Sequence, residues 1–364
     1  MTTKQPTRIV QLIDSLEPGG AERMAVSYAN GLGNLVSFSG LVATRVEGDL
    51  KFKINNQGTY LFLKRKKTID FSALFKFRKY LVQNKVDIVH AHSTSVFFAF
   101  LIKILLPRIQ IIWHDHYGNS ELLQIRKNKI LKFISLFLFG IISVNRNLEN
   151  WAKQNLYCKN LIYLPNFTTQ ENEEVVSKTK LKGIDGKRIL CLANLRPQKN
   201  HQLLIEVAEE LFKIHPDWTF HLVGKDFDDS YSKEIKAMIS AKNLHDTVFL
   251  YGSKNDISSI ISQSSIGVLT SISEGLPVAL LEYGRGNLSV VCTDVGEVST
   301  VINSDESGVL VKSNDAISFL KALIYLINNP TVRSSHGQKL FEESCNVYAE
   351  QPVLNKYLKW IYER

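Results

Sequence analysis

Long apolar runs are missing from this 364-residue chain. Residues 96–106 and 133–144 come nearest, both well short of the roughly 20 residues a spanning helix needs, and the first contains Lys103. The opening Met1-Thr2-Thr3-Lys4-Gln5-Pro6 has no apolar core, so no signal peptide is expected. Cysteine is scarce. Cys158, Cys191, Cys292 and Cys345 are scattered, with neither metal-ligand spacing nor a disulfide framework, which points to a reducing cytoplasm. Low-complexity tracts and a disorder-like excess of charge are absent too. What is left is a globular chain long enough for two domains.

The net charge of +9 is unevenly placed. Residues 1–167 carry 23 Lys and Arg against 10 Asp and Glu, and residues 168–364 carry 21 against 25. A front half at +13 and a back half at −4 imply different partners. Nucleic acid, an anionic membrane surface and a pyrophosphate-linked acceptor all suit a basic half. No clustered aromatic–basic motif supports nucleic acid, which is therefore not expected as a partner.

Apolar runs and helical spacings alternate along both halves. Residues 8–13 read as a strand, followed by Pro18-Gly19-Gly20 and a helix with Ala21, Met24, Ala25, Tyr28, Ala29 and Leu32 on its apolar side. This glycine loop is neither Gly-x-Gly-x-x-Gly nor a P-loop. Strands at 60–63 and 109–113 and a strand end at 87–93 follow, with helices at 71–83 and 96–105. His92, Ser93, His114 and His116 fall at strand ends, where ligands sit in open α/β sheets. The His114-Asp115-His116 spacing is a weak metal signal. Residues 122–139 read as a core helix with a solvated basic end, or as a membrane-surface face. Residues 168–182 read as a polar linker. Strand–helix alternation then restarts at 187–195 and gives a second doubly wound parallel sheet.

Two stretches of the second half carry chemistry. Asn194-Leu195-Arg196-Pro197-Gln198-Lys199 sets two cations at a strand end before a helix, a clamp suited to a diphosphate. In the second, a strand at 266–269 leads into Ser273-Glu274-Gly275-Leu276-Pro277, expected to open a helix reaching past Glu282. Gly275 permits close backbone approach, and free N–H groups at a helix start favour phosphate. Glu274 and Glu282 would lie two turns apart on one helical side, ready for sugar hydroxyls.

The Glu-Gly-x-Pro-x-x-x-x-Glu spacing resembles the donor-site motif of retaining glycosyltransferases of family 4, which have the GT-B fold. Pro-Gly-Gly-Ala-Glu-Arg and Ala-Asn-Leu-Arg-Pro-x-Lys are similar to further family segments, although the common pattern has an Arg where this chain has Asn194. The resemblance implies two Rossmann-like domains facing a cleft. Residues 1–167 would form the acceptor-side domain, rejoined by a helix at about 346–364, and 168–345 the sugar-nucleotide domain. It implies His114, with His116 the alternative, and Glu274 as catalytic residues. Gly19, Gly20, Asn194, Arg196, Lys199, Gly275, Leu276, Pro277 and Glu282 would bind the donor, and His92, Ser93 and His116 would line the acceptor side.

The expected reaction is retaining transfer of a hexose-type sugar from a UDP- or GDP-sugar to a hydroxyl of a glycan or polyprenyl-pyrophosphate-linked acceptor, as in bacterial surface polysaccharide synthesis. No cofactor or metal is expected, since no Asp-x-Asp is read here and Asp228-Asp229 is taken as a contiguous loop pair. The expected location is cytoplasmic, extending to the inner leaflet of the plasma membrane. The alternatives are a sugar-nucleotide epimerase or hydrolase on the same scaffold, or a non-catalytic nucleotide-sugar or nucleic-acid binder.

Overall fold

The computed structural model describes residues 5–118, 123–167 and 178–363. The chain forms two units, 1–167 with 350–364 and 168–349. In the first unit the elements run β1 (Gln5–Ser15), α1 (Gly20–Leu32), β2 (Val36–Val46), β3 (Tyr60–Phe62), α2 (Phe71–Gln83), β4 (Ile88–His92), α3 (Val96–Leu105) and β5 (Gln110–Asp115). They continue through α4 (Lys129–Ile134), β6 (Gly140–Ser143), α5 (Arg146–Asn155) and β7 (Leu161–Tyr163). The sheet is parallel throughout, in the order β3-β2-β1-β4-β5-β6-β7.

Period-two alternation sorts each strand onto two faces. Val10, Leu12, Val89, Ala91, Ile111 and Trp113 pack under α2–α5. On the other face Ile13, Leu41 and Ala43 meet α1. The last helix, α13 (Glu350–Tyr362), joins this unit through two glycines. A Cβ on Gly140 would meet the Trp360 ring at 2.5 Å, and one on Gly31 would meet Glu350 at 2.0 Å.

The second unit runs β8 (Arg188–Leu192), α6 (His201–Ile214), β9 (Thr219–Val223), α7 (Ser230–Ala241), β10 (Val248–Leu250), α8 (Ile257–Ser262) and β11 (Ile266–Leu269). There follow α9 (Val278–Arg285), β12 (Ser289–Thr293), α10 (Val298–Val301), β13 (Val309–Val311), α11 (Ala316–Asn328) and α12 (Pro330–Val347). Its sheet is parallel, ordered β10-β9-β8-β11-β12-β13. In each sheet the order reverses once, between β1 and β4 and between β8 and β11. Those two switch points are where a crevice opens beyond the strand ends.

Several sequence expectations need correction. The helix expected to open at Ser273 starts at Val278, with Pro277 as its cap, so Glu274 lies in the preceding loop and shares no helix face with Glu282. Residues 123–139 form short turns around the six-residue α4, with only Ile134 and Ser135 buried before Gly140, rather than a core helix; Leu122 lies outside the described residues. Of the expected linker, 168–177 lie outside the described residues. Its end is packed on the second unit, where Thr179 donates from N and Oγ1 to Asp256, and Leu181 is buried. The expected crossing helix at about 346–364 includes the end of α12, which belongs to the second unit.

Candidate functional site

At the second unit's switch point, the loops after β8 and β11 are laced together. Ile272 N donates to Gln198 O at 2.9 Å, and Thr270 Oγ1 donates to Lys199 O at 2.9 Å. Thr293 Oγ1 from the end of β12 donates to Ser271 O at 2.6 Å. Gly296, at φ 60°, lies against the Glu274 backbone, where a Cβ would come within 2.2 Å of the Glu274 carbonyl oxygen. That left-handed turn needs glycine twice over, for its torsion and for the close approach.

This lacing brings Lys199 and Glu274 together. Lys199 Nζ lies 2.6 Å from Glu274 Oε1, and Ser271 Oγ donates to the same oxygen at 2.6 Å. Glu274 is only 6 % exposed, so its charge is held by a hydrogen-bonded pair rather than by water. Glu282 is half-buried on α9, whose first turn has no side-chain cap. Leu276 is buried in the core below, and Gly275 accepts from Glu297 N at 2.9 Å.

Asn194 and Arg196 do different work. Asn194 Oδ1 accepts from Lys225 N at 2.7 Å and ties the loop after β8 to the loop after β9. Arg196 is exposed, its guanidinium 4.3 Å from the centroid of the Phe227 ring, while Lys225 Nζ sits 5.1 Å from the same centroid. Lys225 and Phe227 carry no signal in the sequence, where Gly224-Lys225 simply ends the apolar strand 218–223. The expectation that no Asp-x-Asp occurs also needs correcting, because Asp226-Phe227-Asp228 has that spacing. Asp226 is paired with Lys236 at 2.6 Å and accepts from Asp228 N at 2.8 Å. These contacts, with the Lys236 hydrogen bond the largest, hold the Asp226 carboxyl down at about 2.

In the first unit Gly19 caps α1 and Gly20 begins it. Asp14, before this loop, accepts from Arg65 Nη2 at 2.9 Å, from Thr44 Oγ1 at 2.5 Å and from Thr94 Oγ1 at 2.7 Å. Arg65 is therefore a buried partner and not part of a solvated Lys64–Lys67 run. Ser93 holds a left-handed φ of 52° at the end of β4 and is half-buried, its carbonyl accepting from Trp113 Nε1 at 3.0 Å.

Four histidines, His90, His92, His114 and His116, form one stripe along β4, β5 and the residue just beyond it, beneath Tyr28 of α1 and Tyr357 of α13. His90 Nε2 meets His114 Nδ1 at 3.2 Å, His92 Nδ1 meets His116 Nε2 at 3.0 Å, and His92 Nε2 meets Gln11 Oε1 at 2.9 Å. With Gln11 presenting its oxygen, His92 donates from Nε2 and accepts at Nδ1, which fixes His116 as the Nε2–H tautomer. Burial pushes His90, His92 and His114 well below the ordinary histidine value, so all three are neutral.

Two site expectations change as a result. His92 is fully buried and holds His116 instead of lining a surface, and His114 is 1 % exposed while His116 keeps exposed surface. Among the described residues, His90, His92 and His114 are the group able to close on a metal, their ligand atoms lying within 4.8 Å of one another. Four of their six nitrogens are turned to each other, to Gln11 and to His116, while His90 Nδ1 and His114 Nε2 are buried without a hydrogen-bond partner.

Known proteins agree with this architecture. Residues 18–171 match the model of Glycosyltransferase Family 4, and residues 171–342 that of Glycosyl transferases group 1. An uncharacterized glycosyltransferase of Haemophilus influenzae is 26 % identical over 341 residues, 90 % of this chain and 93 % of its own. The UDP-Gal:alpha-D-GlcNAc-diphosphoundecaprenol alpha-1,3-galactosyltransferase of Escherichia coli is 26 % identical over 273 residues, 70 % of each chain. Anabaena HepE, solved with UDP and glucose, superposes with a TM-score of 0.79 at 13 % identity, over 98 % of this chain and 100 % of its own.

Proposed function

This chain belongs to the group 1, family 4 glycosyltransferases of GT-B fold, and from that membership we propose that it transfers a hexose-type sugar with retention, from a UDP- or GDP-sugar to a hydroxyl of a glycan or polyprenyl-pyrophosphate-linked acceptor. The observation that carries this is the Lys199–Glu274 pair at the second switch point. Lys199, Arg196 and the open first turn of α9 would take the diphosphate, and Lys225 adds a third cation beside Arg196. Glu282 would accept from the ribose and Glu274 from the donor sugar. As the bond from C1 to the diphosphate breaks and the bond to the acceptor oxygen forms, these cations stabilise the departing anion, and the acceptor's proton leaves with it.

No metal is required in this scheme, and Asp226 and Asp228 stay with Lys236. Of the four stripe histidines, His116 is the one with surface to offer a sugar. Among the described residues no helix is long and apolar enough to cross a membrane. A cytoplasmic enzyme meeting its acceptor at the inner leaflet fits that, and the E. coli relative named above acts on a diphosphoundecaprenol-linked sugar. The test is release of nucleoside diphosphate from UDP- and GDP-sugars, with and without a polyprenyl-pyrophosphate-linked sugar, followed by assignment of the product's anomeric configuration. Acceptor-dependent release, retained configuration and indifference to a chelator support the proposal. Equal release without acceptor points to a hydrolase or epimerase, and an inverted product removes retention.

A further inference from the structure

Residues 64–137 carry fourteen Lys and Arg against four Asp and Glu, a larger surplus than that of the whole chain. Two of those cations are internal: Arg65 pairs with Asp14, and Arg126 makes a two-pronged contact with Asp115 between the rings of Tyr117 and Trp151. Apart from buried Ile134 and Ser135 and from Leu123 and Leu131, which pack on the core, most of the 123–137 segment is turned outward. Ile125 is 76 % exposed, Ile130 65 %, Phe133 54 % and Leu136 58 %, with Phe137 and Ile104 of α3 also exposed. The patch is continuous, since Phe100 of α3 lies 5.8 Å from Phe133 and 5.3 Å from Phe137, ring to ring.

Exposed Lys127, Lys129 and Lys132 are interleaved with these side chains, and no acidic residue occurs between Leu123 and Leu148. Large apolar side chains left in water in such density mark an interaction surface. A pairing of two copies through this face would set three lysines against three lysines. An anionic bilayer offers what both parts need, headgroup charge for the lysines and an acyl boundary for the rings.

We propose that the outer face of α3 and residues 123–137 docks the enzyme on an anionic lipid surface. The proposal deepens the lipid-linked acceptor reading above and rests on it for its purpose, while the binding itself is tested without acceptor. The protein is sedimented with vesicles of phosphatidylcholine alone and of equal parts phosphatidylcholine and phosphatidylglycerol, at low and high salt. Binding should need phosphatidylglycerol and weaken with salt. The combined Lys127→Gln, Lys129→Gln, Lys132→Gln variant should lose about a hundredfold in partitioning, at about fivefold per lysine. Phe133→Ser should also lose binding, and Ile130→Ser serves as a second, more exposed site should Phe133→Ser fold poorly.

A circular dichroism spectrum and thermal melt matching those of the unaltered protein show that each variant is folded, a control that nucleotide binding in the other unit would not give. Equal partitioning onto both vesicle types, or binding indifferent to all of these substitutions, overturns the proposal. So does a solution dimer that Phe133→Ser dissociates. Vesicle binding without sugar transfer would leave the surface standing and remove the enzymatic reading, and transfer without vesicle binding does the reverse.

Discussion

Lys199 and Glu274 neutralise each other in the free protein, so a substitution at either leaves its partner changed as well. Glu274→Ala removes the charge that Ser271 and Lys199 surround, and is expected to lower turnover more than donor affinity. Glu282→Ala, on the half-buried side of α9, should weaken nucleotide binding by roughly 1.5–3 kcal/mol, the worth of one hydrogen bond to a charged group. Steady-state kinetics with donor titration separates the two; unchanged donor affinity in the Glu282 variant and unchanged rate in the Glu274 variant would take the motif out of the account. Both acids and Lys199 are legible in sequence because their spacing is local. The pairing between Lys199 and Glu274 spans 75 residues, and the Asp14–Arg65 pair spans 51, so neither shows before the sheet order is known.

At the scale of elements, fully buried parallel strands announce themselves as apolar runs, which is why β8, β9, β11 and β12 are readable. The strand β2 is not. Ser37, Ser39 and Gly40 punctuate it like a loop, yet Gly40 is there because a Cβ would meet Tyr80 Oη at 2.4 Å. The onset of α9 is misplaced for a related reason: Ser273 and Glu274 look like helix-opening residues, but Glu274 pairs with Lys199 and its backbone lies against Gly296 in the loop after β12.

Tyr283 of α9 illustrates how a helix keeps a switch point ordered. Its hydroxyl donates to Leu190 O at 3.1 Å and accepts from Leu192 N at 2.6 Å, in the space that Gly267 leaves for its ring. Tyr283→Phe should cost about 1–3 kcal/mol by orphaning Leu192 N–H, measured as a shift in denaturant midpoint. A shift within error would mean that water replaces the hydroxyl.

The histidine stripe gives the first sheet a pH limb. His90, His92 and His114 have depressed folded-state values, so below the ordinary value of 6.5 the unfolded chain binds protons that the folded chain does not. Their contribution to stability is full above that pH and is lost as pH falls, by up to about 1.4 kcal/mol per pH unit for each histidine. Thermal melts taken downward from neutral pH should show this decline, and His114→Gln should flatten it. A flat profile in the unmodified protein would show that the stripe accepts protons without unfolding.

For the whole molecule, these effects fall on different units. The larger part of the acid limb belongs to residues 1–167 with 350–364, which hold His90, His92, His114 and His116, while His201, His221 and His336 give a smaller one to residues 168–349, where the diphosphate site lies. Hydrogen exchange at mildly acid pH should therefore show faster opening of the first sheet. Saturating nucleoside diphosphate should slow exchange around β8, β11 and α9, by about 2.7 kcal/mol at a hundredfold excess over Kd. Protection confined to the first unit would put the nucleotide in the wrong place.

The central claim, a diphosphate site built on Lys199 at the second switch point, is tested most directly by isothermal titration. Uridine and guanosine diphosphate are titrated into the unaltered protein, Lys199→Ala and Arg196→Ala. Lys199→Ala should lose about ten- to a hundredfold in affinity for the diphosphate that binds, and Arg196→Ala less, since its guanidinium is exposed and stacked on Phe227. Affinity unchanged by Lys199→Ala, or a greater loss with Arg196→Ala, would contradict the site as described.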